Sequence, residues 1–169
     1  MWLTGPIADA IVRKNGQNEI VGIATVTTPD IQNQVEELTG LGLGKYEHVI
    51  PGLFDSMTMS IKFIGIAPGV TFAEHQTVNL IINAAITGLD SETHEHVEKP
   101  MTISSKGRVK SKKLGELGKG SKPEPEIELA LTYYKVEIDG TVDTEINVLN
   151  KIAIIDGVDV AAAINKLLS

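Results

Sequence analysis

The sequence predicts a mainly β (α+β) domain: two packed antiparallel sheets forming a sandwich or barrel, with one flanking helix, a short C-terminal helix and long loop arms. Three observations point there. Met57, Met59, Ile61 and Phe63 alternate with Thr58, Ser60 and Lys62, the period-2 pattern of a strand with one wet face. Ile127, Leu129, Leu131 and Tyr133 alternate in the same way, and the apolar phase then moves to Tyr134, Val136 and Ile138. A one-residue slip sends side chains to the opposite face, so this strand should carry a bulge or turn a corner between two sheets. Asp139-Gly140, between Ile138 and Val142, is the pair favoured at a tight type I′ hairpin turn.

The remaining elements follow in chain order. Residues 19–28 and 31–38 read as a first strand pair around Pro29-Asp30. Gly40-Leu41-Gly42-Leu43-Gly44 reads as a flexible glycine arm between strands. Thr71 and Glu74 have capping-box spacing, Val78, Ile81, Ile82, Ala85 and Ile86 share a helical face, and Gly88 supplies a stop, so a helix covering a sheet is expected here. Residues 106–122 combine cations with Gly107, Gly115, Gly118 and Gly120 and close on Lys122-Pro123-Glu124-Pro125, the composition of a long loop or hairpin. Val142, Ile146, Val148, Ile152 and Ile154 supply a return strand. Behind Asp156-Gly157, Val160, Ile164, Leu167 and Leu168 repeat at helical spacing.

Composition narrows the function. With 169 residues the chain can bury roughly two-thirds of its unfolded surface, so a core needs no metal or disulfide. It has no cysteine, which excludes disulfide scaffolds, Cys-ligated zinc, iron–sulfur clusters and thiol catalysis. The longest apolar stretch, 78–86, is interrupted by Asn79 and Asn83 and falls far short of a membrane span, and the N-terminus lacks the pattern of a secretory signal; a soluble chain with no membrane insertion by the monomer is expected. The net charge is −7, yet 106–122 holds seven cations and one anion, a local +6 that leaves −13 on the rest. The folded monomer should be strongly dipolar.

Candidate chemistry is sparse. Gly40 to Lys45 looks like a phosphate loop, but the leading Gly of a Walker loop is replaced by Thr39 and the Ser or Thr after the Lys by Tyr46. His94-Glu95-His96 offers at most two ligands, with His48 and His75 distant, and reads as solvated surface. The carboxylate pairs Glu36-Glu37 and Glu124 with Glu126 lack the apolar surroundings that acid–base chemistry needs. No nucleophile triad is present. Lys106, Arg108, Lys110 and Lys112 would line one face of an extended segment, as phosphate contacts do, but the acidic remainder and the 4% aromatic content argue against specific nucleic-acid recognition. A basic arm on an acidic body is better suited to head-to-tail self-association, which closes into rings or continues as stacks.

The run Leu131-Thr132-Tyr133-Tyr134-Lys135-Val136-Glu137-Ile138-Asp139-Gly140, followed by Glu145-Ile146-Asn147-Val148-Leu149-Asn150 and Asp156-Gly157-Val158-Asp159, resembles the C-terminal half of the major tail tube proteins of contractile-tailed phages. Val21-Gly22, Val26-Thr27, Pro29, the glycine arm, Leu53 to Met59 and Gly107-Arg108 occur in the same order as in that family. The resemblance implies one tail tube domain over 1–169, with a Gly-rich arm at 40–52 and a basic Gly/Pro-rich loop at 105–125. It also implies a non-enzymatic structural subunit, without cofactor or metal, forming hexameric rings stacked into a hollow tube within a contractile sheath. Partners would be further copies of itself, the sheath, baseplate and tail terminator proteins, and a tape measure protein or DNA in the lumen. The protein would be made in the bacterial host cytoplasm and end in a virion tail or a headless, bacteriocin-type tail-like particle. Gly40, Gly42, Gly44, Lys45, Tyr46, Arg108, Lys110, Lys112 and Lys113 are the expected contacts between subunits, and Thr58, Ser60 and Lys62 the expected lumen face. The related tube of a bacterial secretion machine and a monomeric β-sandwich binding module are the alternatives.

Overall fold

The computed structural model describes residues 1–14, 23–65 and 76–169. Its elements are β1 (Trp2–Lys14), β2 (Ile23–Thr27), β3 (Asn33–Gly40), β4 (Leu43–Phe54), β5 (Met57–Phe63), β6 (Val78–Asp90), β7 (Lys99–Lys113), β8 (Glu126–Ile138), β9 (Thr141–Asn147), β10 (Ile152–Ile155), β11 (Val158–Asp159) and α1 (Ala162–Leu168). All pairings are antiparallel. Among the described residues, nine strands join in one branched sheet, and β3 and β4 pair only with each other.

Strand β8 is the branch point. One edge runs along β7, while the other pairs with β5 through residues 126–131 and with β9 through residues 133–138. Thr132 is the extra residue between, opposite the Lys106/Gly107 step of β7. The buried side changes there: Ile127, Leu129 and Leu131 point inward below the bulge, and Tyr134 above it. The phase slip at Tyr133-Tyr134 is therefore a bulge at which the strand changes partner. Gly107 is required opposite it, because a Cβ would overlap the Ala130 carbonyl.

The branch folds over the main sheet and encloses one core. Met57, Met59, Ile61 and Phe63 of β5 pack with Val78, Leu80 and Ile82 of β6 and with Ile127 and Leu129 of β8. Ser105 of β7 lies 3.8 Å from the Met59 sulfur, although β8 separates their strands. Flat strands two apart stand nearly 10 Å from each other, so the sheet is sharply bent. Strands β1 and β2 end the two branches and, among the described residues, do not pair with each other; a cavity of about 450 Å³ lies between them. The described strands form a sandwich and not a closed barrel.

Two expectations are corrected. Val78–Asp90 is a strand, not a helix: Val78, Leu80, Ile82, Ala84 and Ile86 are buried in alternation, and both edges are paired, with β1 and β7. Ile81 and Ala85 kept a helical stripe plausible, but they lie on the wetter face, while the β-branched Val78, Ile81, Ile82 and Ile86 favour extended backbone. The capping pair Thr71 and Glu74 lies outside the described residues. Gly88 is not a helix stop; a Cβ there would overlap the indole of Trp2, whose N–H donates to the Val97 carbonyl at 3.0 Å. Nor do the first two strands pair with each other. Ile23–Thr27 pairs with β5 and Asn33–Gly40 with β4, and residues 19–22 are outside the description.

Other elements match. Asp139 and Gly140 have φ of 52° and 79°, as a type I′ turn demands, and Asp156-Gly157 repeats the device between β10 and β11. The expected return strand is two strands, β9 and β10, separated by a turn in which the Asn147 side chain accepts from the Leu149 and Asn150 N–H groups. The basic window differs from the loop expected over 105–125: residues up to Lys113 belong to strand β7, and only 114–125 form the loop at the distal end of the β7–β8 hairpin.

Replacing fully buried Met59 by Ala should cost roughly 2–5 kcal/mol in denaturant unfolding, whereas Leu41→Ala, at an exposed position, should move the same transition by less than about 0.5 kcal/mol. Equal losses would contradict this placement of the core.

Candidate assembly surfaces

The first surface is the ribbon formed by β3 and β4. Gly42, at φ 73°, makes the tip turn possible, so Gly40, Gly42, Gly44, Lys45 and Tyr46 all lie at its distal end. Its base is held. Phe54 packs against the core, and the Asp55 N–H donates to the Gln32 carbonyl at 2.7 Å. Beyond the base every side chain is exposed, including Val35, Leu38, Leu41, Leu43, Tyr46 and Val49. Lys45 does not stand alone, since its ammonium meets Glu37 at 2.8 Å within the ribbon. An isolated two-stranded ribbon is marginally stable in water, and among the described residues no layer packs on this one beyond its base.

The second surface is the wet face over β7, β8 and β5. Register places Lys106 and Arg108 beside Tyr133 and Ala130 of β8, and Thr58, Ser60 and Lys62 beside Ala130, Glu128 and Glu126 on the other edge. Lys110 Nζ and Thr58 Oγ1 are 3.1 Å apart. The two groups of residues read separately in the sequence are thus neighbours. The row of four cations is broken, however, because a bulge between Val109 and Ser111 turns Ser111 and Lys113 outward and sets Lys112 opposite Ile127. Ser111 Oγ donates to Glu128 at 3.2 Å and Lys113 pairs with Glu126 at 3.2 Å.

Further up the same face Lys106 stands 5.5 Å from the ring of Tyr133, whose hydroxyl donates to Glu145 at 3.4 Å. Partial burial, reinforced by the Glu145 charge, pushes that phenol above its ordinary value and keeps it protonated. The hydrogen bond to Glu137, 2.7 Å away, raises the ammonium of Lys135.

Charge is separated along β7. Its N-terminal end meets the β6–β7 connection, where Asp90, Glu92, Glu95 and Glu98 occur without a Lys or Arg between them. Asp90 accepts from the Glu92 and Thr93 N–H groups, which lower its carboxyl below the usual range. Lys99 opens the strand and pairs with Asp139 at 3.6 Å, while its five other cations, Lys106, Arg108, Lys110, Lys112 and Lys113, run from the midpoint of the strand to its distal end. His94 and His96 are exposed, and among the described residues no group of three His, Asp or Glu has metal-site geometry.

The third surface was missed from sequence. A cavity of about 460 Å³ lies beneath α1, walled by Ile50 and Phe54 of β4, Ile146 of β9, Ile152 of β10, and Ile164 and Leu168 of α1. The start of the helix rests on Gly52, where a Cβ would come 2.9 Å from that of Ala161. The helical spacing of Val160, Ile164, Leu167 and Leu168 was the available signal. It implied a face buried on its own core, yet α1 has no buried residue, and Leu167 and Leu168 are 82% and 66% exposed.

No curated protein matches the chain in sequence. Among solved structures, the fold is similar to that described as "Cryo-EM Structure of an Extracellular Contractile Injection System, PVC sheath/tube terminator in extended state". The TM-score is 0.52 and the identity 16%, over 78% of this chain and 95% of that one. A model of the family described as Phage tail tube protein FII matches residues 7–168. Spanning both the unsupported ribbon and the sheet that carries the charge separation, that match shows that the chain belongs to the phage tail tube protein FII family, a family of structural, non-enzymatic tail tube subunits.

Proposed function

We propose that this tail tube protein assembles as hexameric rings stacked into a hollow conduit within a contractile sheath. Baseplate and terminator proteins would close its ends, and a tape measure protein or DNA would occupy the lumen. The single observation that carries the reading is the β3–β4 ribbon, which exposes a row of apolar side chains and pairs with no other strand among the described residues. Such a ribbon becomes ordered against a neighbour. The charge separation along β7 supports a polar stack, since the acidic end of one copy complements the basic end of the next.

The shared wet face supports one role for both of its residue groups. Thr58, Ser60 and Lys62 then line the channel together with Lys106, Arg108 and Lys110, while Lys112, Lys113 and residues 114–125 stay at the stacking end. A single ring that never stacks would instead fit a terminating role, as named for the structural neighbour.

Deleting residues 41–46 should abolish rings and tubes in electron micrographs while lowering the monomer melting temperature by no more than about 2 °C, because the distal ribbon buries nothing. A large thermal loss would place the ribbon inside the folding unit. Replacing Lys112 and Lys113 by Glu should weaken assembly at low salt, and raising salt well above about 0.1 M, where screening acts within ~10 Å, should weaken wild-type stacking likewise. Assembly indifferent to both would remove the electrostatic part of the proposal.

A further inference from the structure

We propose that the cavity beneath α1 is the receptor for the ribbon tip of a second copy, which puts a specific site into the tube reading on which this inference rests. Size and polarity agree. A cavity of roughly 150 Å³ accommodates a benzene-sized group, so about 460 Å³ has room for two or three leucine side chains. The tip offers Leu41, wholly exposed, flanked by Leu43 and Leu38 at 52% and 39% exposure.

Charge agrees as well. The distal ribbon carries Glu36, Glu37 and Glu47 against Lys45, a net −2. The charged residue among those lining the cavity is Lys151, and Lys166 is the one charge on α1. The cavity between β1 and β2 has a similar volume but is lined by Asp9, which would oppose an acidic ribbon.

Distance decides that the occupant is another molecule. Gln34 and Ile50 line the cavity at the root of the ribbon, and Leu41 is seven residues beyond Gln34 on a paired strand, about 23 Å away. With Leu38 registered on Tyr46 and Gly40 on Leu43, the ribbon cannot fold back on its own root. Each copy therefore donates one tip and receives one, a heterologous contact that propagates head to tail.

The chain has no cysteine, so crosslinking tests this directly. Leu41→Cys and Leu168→Cys proteins, assembled as a mixture and mildly oxidised, should give a covalent dimer on a non-reducing gel. The double variant should give a ladder, and Leu41→Cys alone no dimer. Assemblies visible by electron microscopy that show no Leu41–Leu168 link, or tips that link to each other, would overturn the assignment while leaving the tube reading intact. Wild-type protein monomeric at every salt concentration would overturn both. As a second test, Ile164→Asp, at a position 41% exposed, should leave the melting temperature unchanged. Its assembly should fall at least tenfold. Unaltered assembly by Ile164→Asp would refute the receptor.

Discussion

The architecture depends on one shared edge, that of β8, which bonds β5 below Thr132 and β9 above it. Two strands that follow one another along the same edge diverge into different layers only where that edge bends, and a bulge supplies the bend and the added twist. Because the bulge also inverts the inward side, Leu131 and Tyr134 both reach the core although an uninterrupted strand would send one of them to solvent. The sheet forks there, and the lower fork, β5 with β2, closes over β6 and β7. The β3–β4 ribbon enters and leaves close to the fork, between Thr27 and Met57. Its root meets β9, β10 and α1, so one backbone irregularity positions the core, the projecting ribbon and the cavity at its base.

What was legible in the sequence was whatever a short window decides. The alternation of Met57 to Phe63, the phase slip near Tyr133 and the Asp139-Gly140 turn each reflect local backbone geometry, and each was found where expected. Val78 to Asp90 was misread because its apolar residues satisfy two periods at once. Partners distant in sequence, β1 and β7, settled the choice. The bulge at Lys110 left no compositional trace, so the cations at 106, 108, 110 and 112 looked like one row. The cavity beneath α1 was illegible for a related reason: its walls come from Ile50, Ile146, Ile152 and Ile164, which only the fork brings together.

Two forces offered for assembly differ in size, and that decides their roles. Leu38, Leu41 and Leu43 together expose about as much as two free leucines, worth roughly 3–6 kcal/mol on complete burial. Exposed ion pairs contribute about 0–1 kcal/mol each and weaken with salt. In the proposed assembly the ribbon would therefore supply most of the affinity, while the charge along β7 would set polarity and encounter rate. Association itself costs an estimated 4–15 kcal/mol, so one ribbon contact does not hold two copies together for long. A subunit that gives a tip to one neighbour and accepts one from another is held twice. In the proposed assembly, closure of a ring would satisfy every tip and every receptor and leave the charged ends of β7 free to direct the next layer.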